Sequence, residues 1–236
     1  MTADPMLLSV IIPIAPNDGS WAALLPQLRQ LPHDCEIILS GAIDAAAELI
    51  NQPQPITIIS CDKGRAAALN AGAAAANGKW LWFIHADSII SQHSLHCLLK
   101  ALQQPQQQGL FYFHLRFHSD DAFLCLRMKM NSLGVTVRSH LLKSPFGDQA
   151  FCIDKKSFLQ AGSYPENLAY GEDHAFVWQC HLADISVQSL PASISTSARK
   201  YANGGWFKIS LLHNWLWFKQ WLPLFFCWGR QKLWPR

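Results

Sequence analysis

His85 and Asp87, one residue apart at the end of an apolar run, are the first pair in this chain whose types and spacing suggest chemistry. Positions i and i+2 of an extended segment point the same way, so an imidazole and a carboxylate would converge on one cation. A mixed nitrogen and oxygen pair suits Mn²⁺ better than an all-oxygen Ca²⁺ site. A strand end closing in an Asp turn would use the same two residues without any metal. Glu172 and Asp173 follow Gly171 at the head of a predicted helix. Acids there complement the helix N-terminus, and a carboxylate so placed is also a candidate general base for a hydroxyl. Arg65 opens an Ala-rich stretch, a position suited to anions. Asp148 and Gln149 sit in a Gly-Asp-Gln turn, which their side chains can simply close. His93 with His96, and His114 with His118, lack a third ligand of suitable spacing and read as solvated surface. Cys61 has no paired base, so a nucleophile reading is poor.

The elements that must hold these residues alternate in type through the first half. Residues 8–12 (LSVII), closed by Pro13, form a continuous apolar run, the pattern of a buried parallel strand. Turn residues 17–20 lead into an amphipathic helix over 21–31 with a kink expected at Pro26. Further strands are predicted at 36–39, 56–60 and 80–84, with helices over 44–51, 64–76 and 91–102. Four strand–helix repeats with short loops make an α/β protein with a Rossmann-like parallel layer flanked by helices. Ligands bind such sheets beyond the carboxyl ends of the strands, which gathers residues 13–17, 40–41, 61–65 and 85–88 around one crevice. The second half changes character. It offers a half-exposed strand over 109–118, a long helix from 121 to about 142, a short strand at 150–153, a helix from Asp154 to Gly162, a helix over 172–183 and a strand at 185–190.

These blocks together resemble the family-2 glycosyltransferases of the GT-A fold. The resemblance rests on LSVIIP at 8–13, on Gly64-Arg65 followed by Asn70 and Gly72, and on WLWFI with His85-Ala86-Asp87. It extends through Gly147-Asp148-Gln149, Ala161-Gly162 with Tyr164-Pro165, and Gly171-Glu172-Asp173, covering residues 7–206. His-Ala-Asp, Gly-Asp-Gln and Thr196-Ser197-Ala198-Arg199 look like a small subfamily often labelled arsenosugar-biosynthesis-type glycosyltransferases. The resemblance implies a GT-A domain over 1–204 with a mixed sheet, and an inverting, metal-dependent transfer from a nucleotide-diphospho-sugar to a hydroxyl acceptor. It implies Asp173 as the catalytic carboxylate with Glu172 beside it, and Mn²⁺ or Mg²⁺ on Asp87 and His85. Pro13, Arg65, Asn70, Asp87, Arg199 and Lys200 would contact the donor, and Asp148 and Gln149 the acceptor or the sugar. Two departures stand out: the second strand runs into Ser40-Gly41 without the family's base-reading Asp, and the first exits into Pro16-Asn17-Asp18. They leave a second reading, a non-catalytic, membrane-associated or partner-binding relic of the fold.

Composition sets the outer limits. The chain has 236 residues, half hydrophobic and only 15% charged, which excludes a disordered chain, and its net charge of +3 is too small to imply nucleic-acid binding. Seven cysteines, an odd number with no C-x-x-C, suggest neither a disulfide framework nor a zinc site, and a reducing cytoplasm is the expected compartment. Residues 1–8 lack the features of a signal peptide. Charge is unevenly placed: after Asp184 there are seven Lys or Arg, no acid, and six of the ten tryptophans. Residues 205–236 thus form a basic aromatic helical arm, suited either to the cytoplasmic face of a membrane, with a lipid-linked acceptor, or to covering the sheet or a second copy. No run there reaches the roughly 20 apolar residues of a transmembrane helix.

Overall fold

The computed structural model describes residues 6–42, 53–104, 107–118, 132–197 and 206–233. The first half comprises β1 (Leu8–Ile14), α1 (Trp21–Leu28), β2 (Cys35–Gly41), β3 (Ile56–Ser60), α2 (Arg65–Ala75), β4 (Trp80–Phe83), β5 (Ile89–Ile90) and α3 (Gln92–Leu102). The second comprises β6 (Leu110–His118), α4 (132–140), a 3₁₀ turn (Gly147–Gln149), β7 (Cys152–Asp154), α5 (Lys155–Ala161), α6 (Glu172–Leu182), β8 (Val187–Ser197) and α7 (Trp206–Leu233). The strands make one eight-stranded sheet in the order β3-β2-β1-β4-β7-β6-β8-β5. β1 lies between β2 and β4 and is parallel to both, as β3 is to β2. Beyond β4 the sheet becomes mixed: β7 is antiparallel to β4 and β6, and β8 is parallel to β6.

Helices cover both faces, so β1, β2 and β4 are buried on both sides and read as unbroken apolar runs. Successive side chains feed two cores. Val10, Ile12, Trp80, Trp82, Phe111 and Phe113 fill one, and Ile11, Leu81, Phe83, Phe151 and Phe176 belong to the other. A buried polar fastener joins the parallel strands. Glu36 accepts from the Ser9 hydroxyl at 2.6 Å and from the Asn77 backbone N–H at 2.6 Å, while Gly78 N–H donates to Ser9 Oγ at 2.8 Å. It fixes where α2 ends and β4 begins.

Several boundaries differ from the sequence expectation for physical reasons. Pro13 does not close β1, which runs to Ile14. Ile11 O accepts from Ile84 N and Ile14 O from Ala42 N. The residue-13 nitrogen therefore faces the side where β4 has already ended, and no ladder bond is lost. α1 begins under Asp18, whose Oδ1 accepts from Ser20 N–H at 2.9 Å. β8 runs well past Leu190. Its register against β6 jumps between Tyr112↔Ser189 and His114↔Ser193, a bulge that absorbs Pro191. The two-residue β5, which no local pattern announces, closes the sheet edge against β8. Of the long helix expected from 121, residues 132–140 are helical; its expected start, and the helix expected over 44–51, lie outside the described residues.

The C-terminal helix docks on α6. Trp178 meets Phe225 and Trp228 edge to face, each at 6.3 Å between ring centroids. Trp217 Nε1 donates to Ser144 Oγ at 3.1 Å. His174, 1% exposed, accepts at Nε2 from Trp178 Nε1 at 3.0 Å and pairs its Nδ1 with Gln220 Oε1 at 3.2 Å. Burial lowers its pKa to about 4 against the tendency of Gln220 and Asp173 to raise it.

Two outcomes follow from this packing. A Cβ on residue 78 would lie 2.5 Å from Ser9 N and 2.8 Å from Leu8 C, both backbone atoms, so Gly78→Ala should cost about 1–3 kcal/mol in urea unfolding. For His174, the unfolded chain takes up the proton near pH 6.5 and the folded chain only near 4. Between those values the unfolded state holds more protons, so stability falls as pH falls through the window, by up to about 3 kcal/mol. In His174→Gln, melting temperatures measured from pH 7 to 4 should decline less steeply than in the wild type.

Candidate active site

The carboxyl ends of the parallel strands open onto a cleft of about 770 Å³. Pro13 lines it at the end of β1, Cys61 and Asp62 follow β3, Arg65 opens α2, and His85 and Asp87 follow β4. Gly64, at φ 94°, turns the chain so that α2 points its N-terminus at this space.

Arg65 is the centre of the arrangement. Its Nη1 lies 3.2 Å from Glu172 Oε1 at the head of α6, and its Nη2 contacts Nε2 of His85. The side chain stays 40% exposed towards the cleft. In the 3₁₀ turn, Gly147 lies tight against the site: a Cβ there would sit 2.9 Å from Arg65 Nη2 and 2.9 Å from Asp173 Oδ2, so those side chains would have to shift. Asp173 Oδ2 accepts from Gly147 N–H at 2.6 Å, and its Oδ1 from His174 N–H at 2.8 Å. Burial alone would raise the pKa of Asp173. The Arg65 guanidinium and these two backbone donors outweigh it and hold the carboxyl below the usual range. Asp173 is therefore ionised at neutral pH and stands beside the Arg65 guanidinium, which also reaches the cleft.

Asp148 behaves in the opposite way. Its Oδ1 is sealed from solvent and has no hydrogen-bond partner among the described residues. Burial pushes its pKa up to about 6, Arg138 and Arg65 pull it down, and the carboxylates of Asp173 and Asp87 push it up again. Three acids from three parts of the chain thus share one electrostatic neighbourhood. Asp87 accepts a long bond from Thr196 Oγ1 at 3.4 Å and faces the cleft. Asp87, with the unpartnered oxygen of Asp148 nearby, fits a divalent cation. His85 fits less well, because its Nε2 faces Arg65. Among the described residues no three His, Cys, Asp or Glu side chains converge as a ready ligand set, so much of any coordination shell would come from a bound ligand.

The structure redistributes several expected roles. Asn70 turns away from the cleft: its Nδ2 donates to Tyr164 O at 2.9 Å and Glu166 Oε1 at 2.8 Å, and its Oδ1 accepts from Tyr164 N–H at 3.0 Å. It ties α2 to the loop after α5 rather than reaching a donor. Gln149, 1% exposed, accepts from Ser139 Oγ and Phe146 N–H and donates to Phe113 O. These internal bonds make it a residue that shapes the turn. Glu172, expected beside the base, is buried as the partner of Arg65. Arg199 and Lys200 lie outside the described residues. Asp62 lies in the 61–65 loop that the sequence places at the crevice, and it lines the cleft, but sequence reading gave it no role. Sequence reading also missed Arg138, whose guanidinium covers the Phe146 ring at 3.4 Å and whose Nε donates to Ser144 O.

Comparison with known proteins agrees with this geometry. No curated protein sequence matches the chain. Among solved structures, TarS of S. aureus superposes with a TM-score of 0.61 at 14% identity, covering 83% of this chain and 37% of TarS. The mannosyltransferase PcManGT of Pyrobaculum calidifontis, solved with GDP-Man and Mn²⁺, superposes with a TM-score of 0.58 at 16% identity, covering 82% of this chain and 57% of its own. The chain thus spans well under two thirds of the length of these structures, and at such identities the likeness shows the fold alone. The family model for glycosyl transferase family 2 matches residues 24–162. That span runs from α1 to the end of α5 and contains Arg65, His85, Asp87 and Asp148, so the cleft and its strand ends are those of a GT-A fold, and the chain belongs to glycosyl transferase family 2.

Proposed function

We propose that this chain is an inverting, divalent-metal-dependent glycosyltransferase that moves a sugar from a nucleotide-diphospho-sugar to a hydroxyl acceptor. The observation that carries the reading is the position of Arg65, which lines the cleft and also holds the ion pair with Glu172 beside Asp173. A cleft that takes a diphosphate at the N-terminus of α2 brings the sugar to the Arg65 end, where Asp173 lies behind the guanidinium. The acceptor oxygen attacks the anomeric carbon from the side opposite the diphosphate, the carbon–oxygen bond to the diphosphate breaks with its electron pair, and the acceptor proton passes to Asp173. Arg65 then neutralises part of the departing charge. Asp87 would hold a Mn²⁺ or Mg²⁺ ion, whose chemistry there is further neutralisation of the leaving diphosphate.

His85 carries no negative charge where an acid would compete for Arg65, so more of the guanidinium charge remains for the diphosphate. Asp18 and Asp62, both on the cleft wall, stand in for the missing acid after β2 as partners of the base or ribose. Arg199 and Lys200 follow β8 in sequence, and β8 brings Thr196 to Asp87; a diphosphate clamp there suits their charge. The catalytic domain ends near residue 204. The six described cysteines are free, which suits a cytoplasmic enzyme.

A thermal-shift panel of UDP-, GDP-, dTDP- and CDP-sugars, each with and without Mn²⁺ or Mg²⁺, tests the donor site. One nucleotide at about 100 times its Kd should raise the melting temperature by about 5–10 °C with metal present. Asp87→Asn should remove the metal-dependent part of that shift. No shift with any donor would leave a non-catalytic relic as the better reading. For the base, Asp173→Asn should lower single-turnover transfer by about 10²–10⁴-fold while the donor shift survives; unchanged transfer would remove Asp173 from that role.

A further inference from the structure

Eight of the thirteen exposed large apolar side chains among the described residues fall in two groups. On α7, Trp215, Phe218, Leu222, Phe225 and Phe226 are all exposed, Phe226 at 66%. At about 100° per residue they fall within one arc of roughly 100°. Trp217, Gln220 and Trp228 dock on the body from the opposite side, and Phe225, at the edge of the arc, also touches Trp178. Lys219 and Arg230, both exposed, flank one edge, and Lys219 Nζ lies 5.8 Å from the Trp215 ring centre. A second apolar row lies on α4 and just past it: Leu133, Val137 and Leu141, spaced by four residues and 66%, 45% and 74% exposed. The Trp217–Ser144 hydrogen bond ties α7 three residues beyond Leu141. A further bond, Gln220 to Tyr170 O at 3.0 Å, ties α7 to the loop that leads into Glu172 and Asp173.

We propose that the outer face of α7, with the α4 row beside it, is a docking surface for an anionic lipid bilayer. Tryptophans with basic neighbours suit the headgroup boundary, where the ring is half buried and the ammonium stays in water. Protein interfaces are instead depleted in Lys. No acid follows Asp184 in the sequence, so the face carries only the charge sign that anionic lipid attracts. No helix among the described residues is long and apolar enough to cross a membrane, so the helix would lie in the plane of the interface. Resting on the glycosyltransferase reading, this places the Asp173 end of the site at the lipid surface and makes the acceptor hydroxyl that of a lipid or a lipid-linked compound.

Flotation of the full chain with phosphatidylcholine vesicles, with and without phosphatidylglycerol, tests the surface independently of transfer. The wild type should float with the anionic vesicles and lose binding as salt rises. Trp215→Glu with Phe226→Glu, and separately Leu133→Glu with Leu141→Glu, should each weaken binding by about tenfold or more while retaining the wild-type melting temperature. Absence of flotation with both vesicle types would overturn the proposal. So would flotation undiminished in both double variants, or a dimer in sedimentation that the α7 variants split into monomers without any vesicle binding. A donor-induced thermal shift in protein that does not float sinks the surface alone; flotation without any donor shift sinks the enzyme reading alone.

Discussion

One guanidinium joins the two halves of this molecule. Arg65 begins the second crossover helix of the parallel half, yet its partners lie at the end of β4 and at the head of α6, and it crowds the turn at Gly147. The antiparallel half must bring a glycine and two acids to that point. The glycine leaves Arg65 and Asp173 in place, where a Cβ would press on both and shift them. The acids are required because a cation in a partly closed cleft needs compensation. Glu172 supplies a direct pair, and Asp173 supplies charge while its oxygens are held by backbone N–H groups. The sheet order, with β7 inserted beside β4, is what delivers the turn preceding β7 to the Arg65 end of the cleft.

The same electrostatics make the site responsive to its ligand. Asp173 is held ionised by a cation that a diphosphate would also engage. As the guanidinium turns part of its charge to phosphate oxygens, Asp173 loses stabilisation of its ionised form and becomes a stronger base. A base that strengthens only when donor is present suits transfer better than one fixed at high basicity, because the empty site then has little affinity for stray protons. Asp148, with a pKa pushed up to about 6 and an unpartnered oxygen, marks where negative charge is least compensated, and therefore where added positive charge gains most.

Much of this was legible in the sequence because it is written locally. Unbroken apolar runs gave β1, β3 and β4, the caps at Ser91 and Asp154 gave the starts of α3 and α5, and strand ends gave the crevice with Pro13, Arg65, His85 and Asp87 on its wall. What was not legible depends on partners distant in sequence. Asn70 has the composition of a ligand-binding amide, but its partner is a loop 94 residues away. Gln149 sits next to an exposed-looking turn, and only the fold shows β6 closing over it. β5 has two residues and no periodicity to read; it exists because β8 passes beside it. The continuation of β8 past Pro191 needed knowledge of the bulge opposite Tyr112 and His114.

The C-terminal helix shows why composition alone left its role open. Its tryptophans serve two faces. Trp217 and Trp228 turn inward and pack with Gln220 against α6 and the Ser144 loop, whereas Trp215 turns outward. The inward face acts on the site. Gln220 fills the space beside Gly171, whose φ of 74° and lack of Cβ let the amide approach, and from there it reaches both Tyr170 O and His174. His174 in turn gives its backbone N–H to Asp173. The docked helix therefore buttresses the turn that aims the candidate base. A surface bound by the outer face would brace that turn further, because a helix held in place loses less entropy when its inner side chains engage. Docking of the proposed surface and the proposed catalysis would then be coupled through Gln220 and His174, by packing alone and without any change of fold.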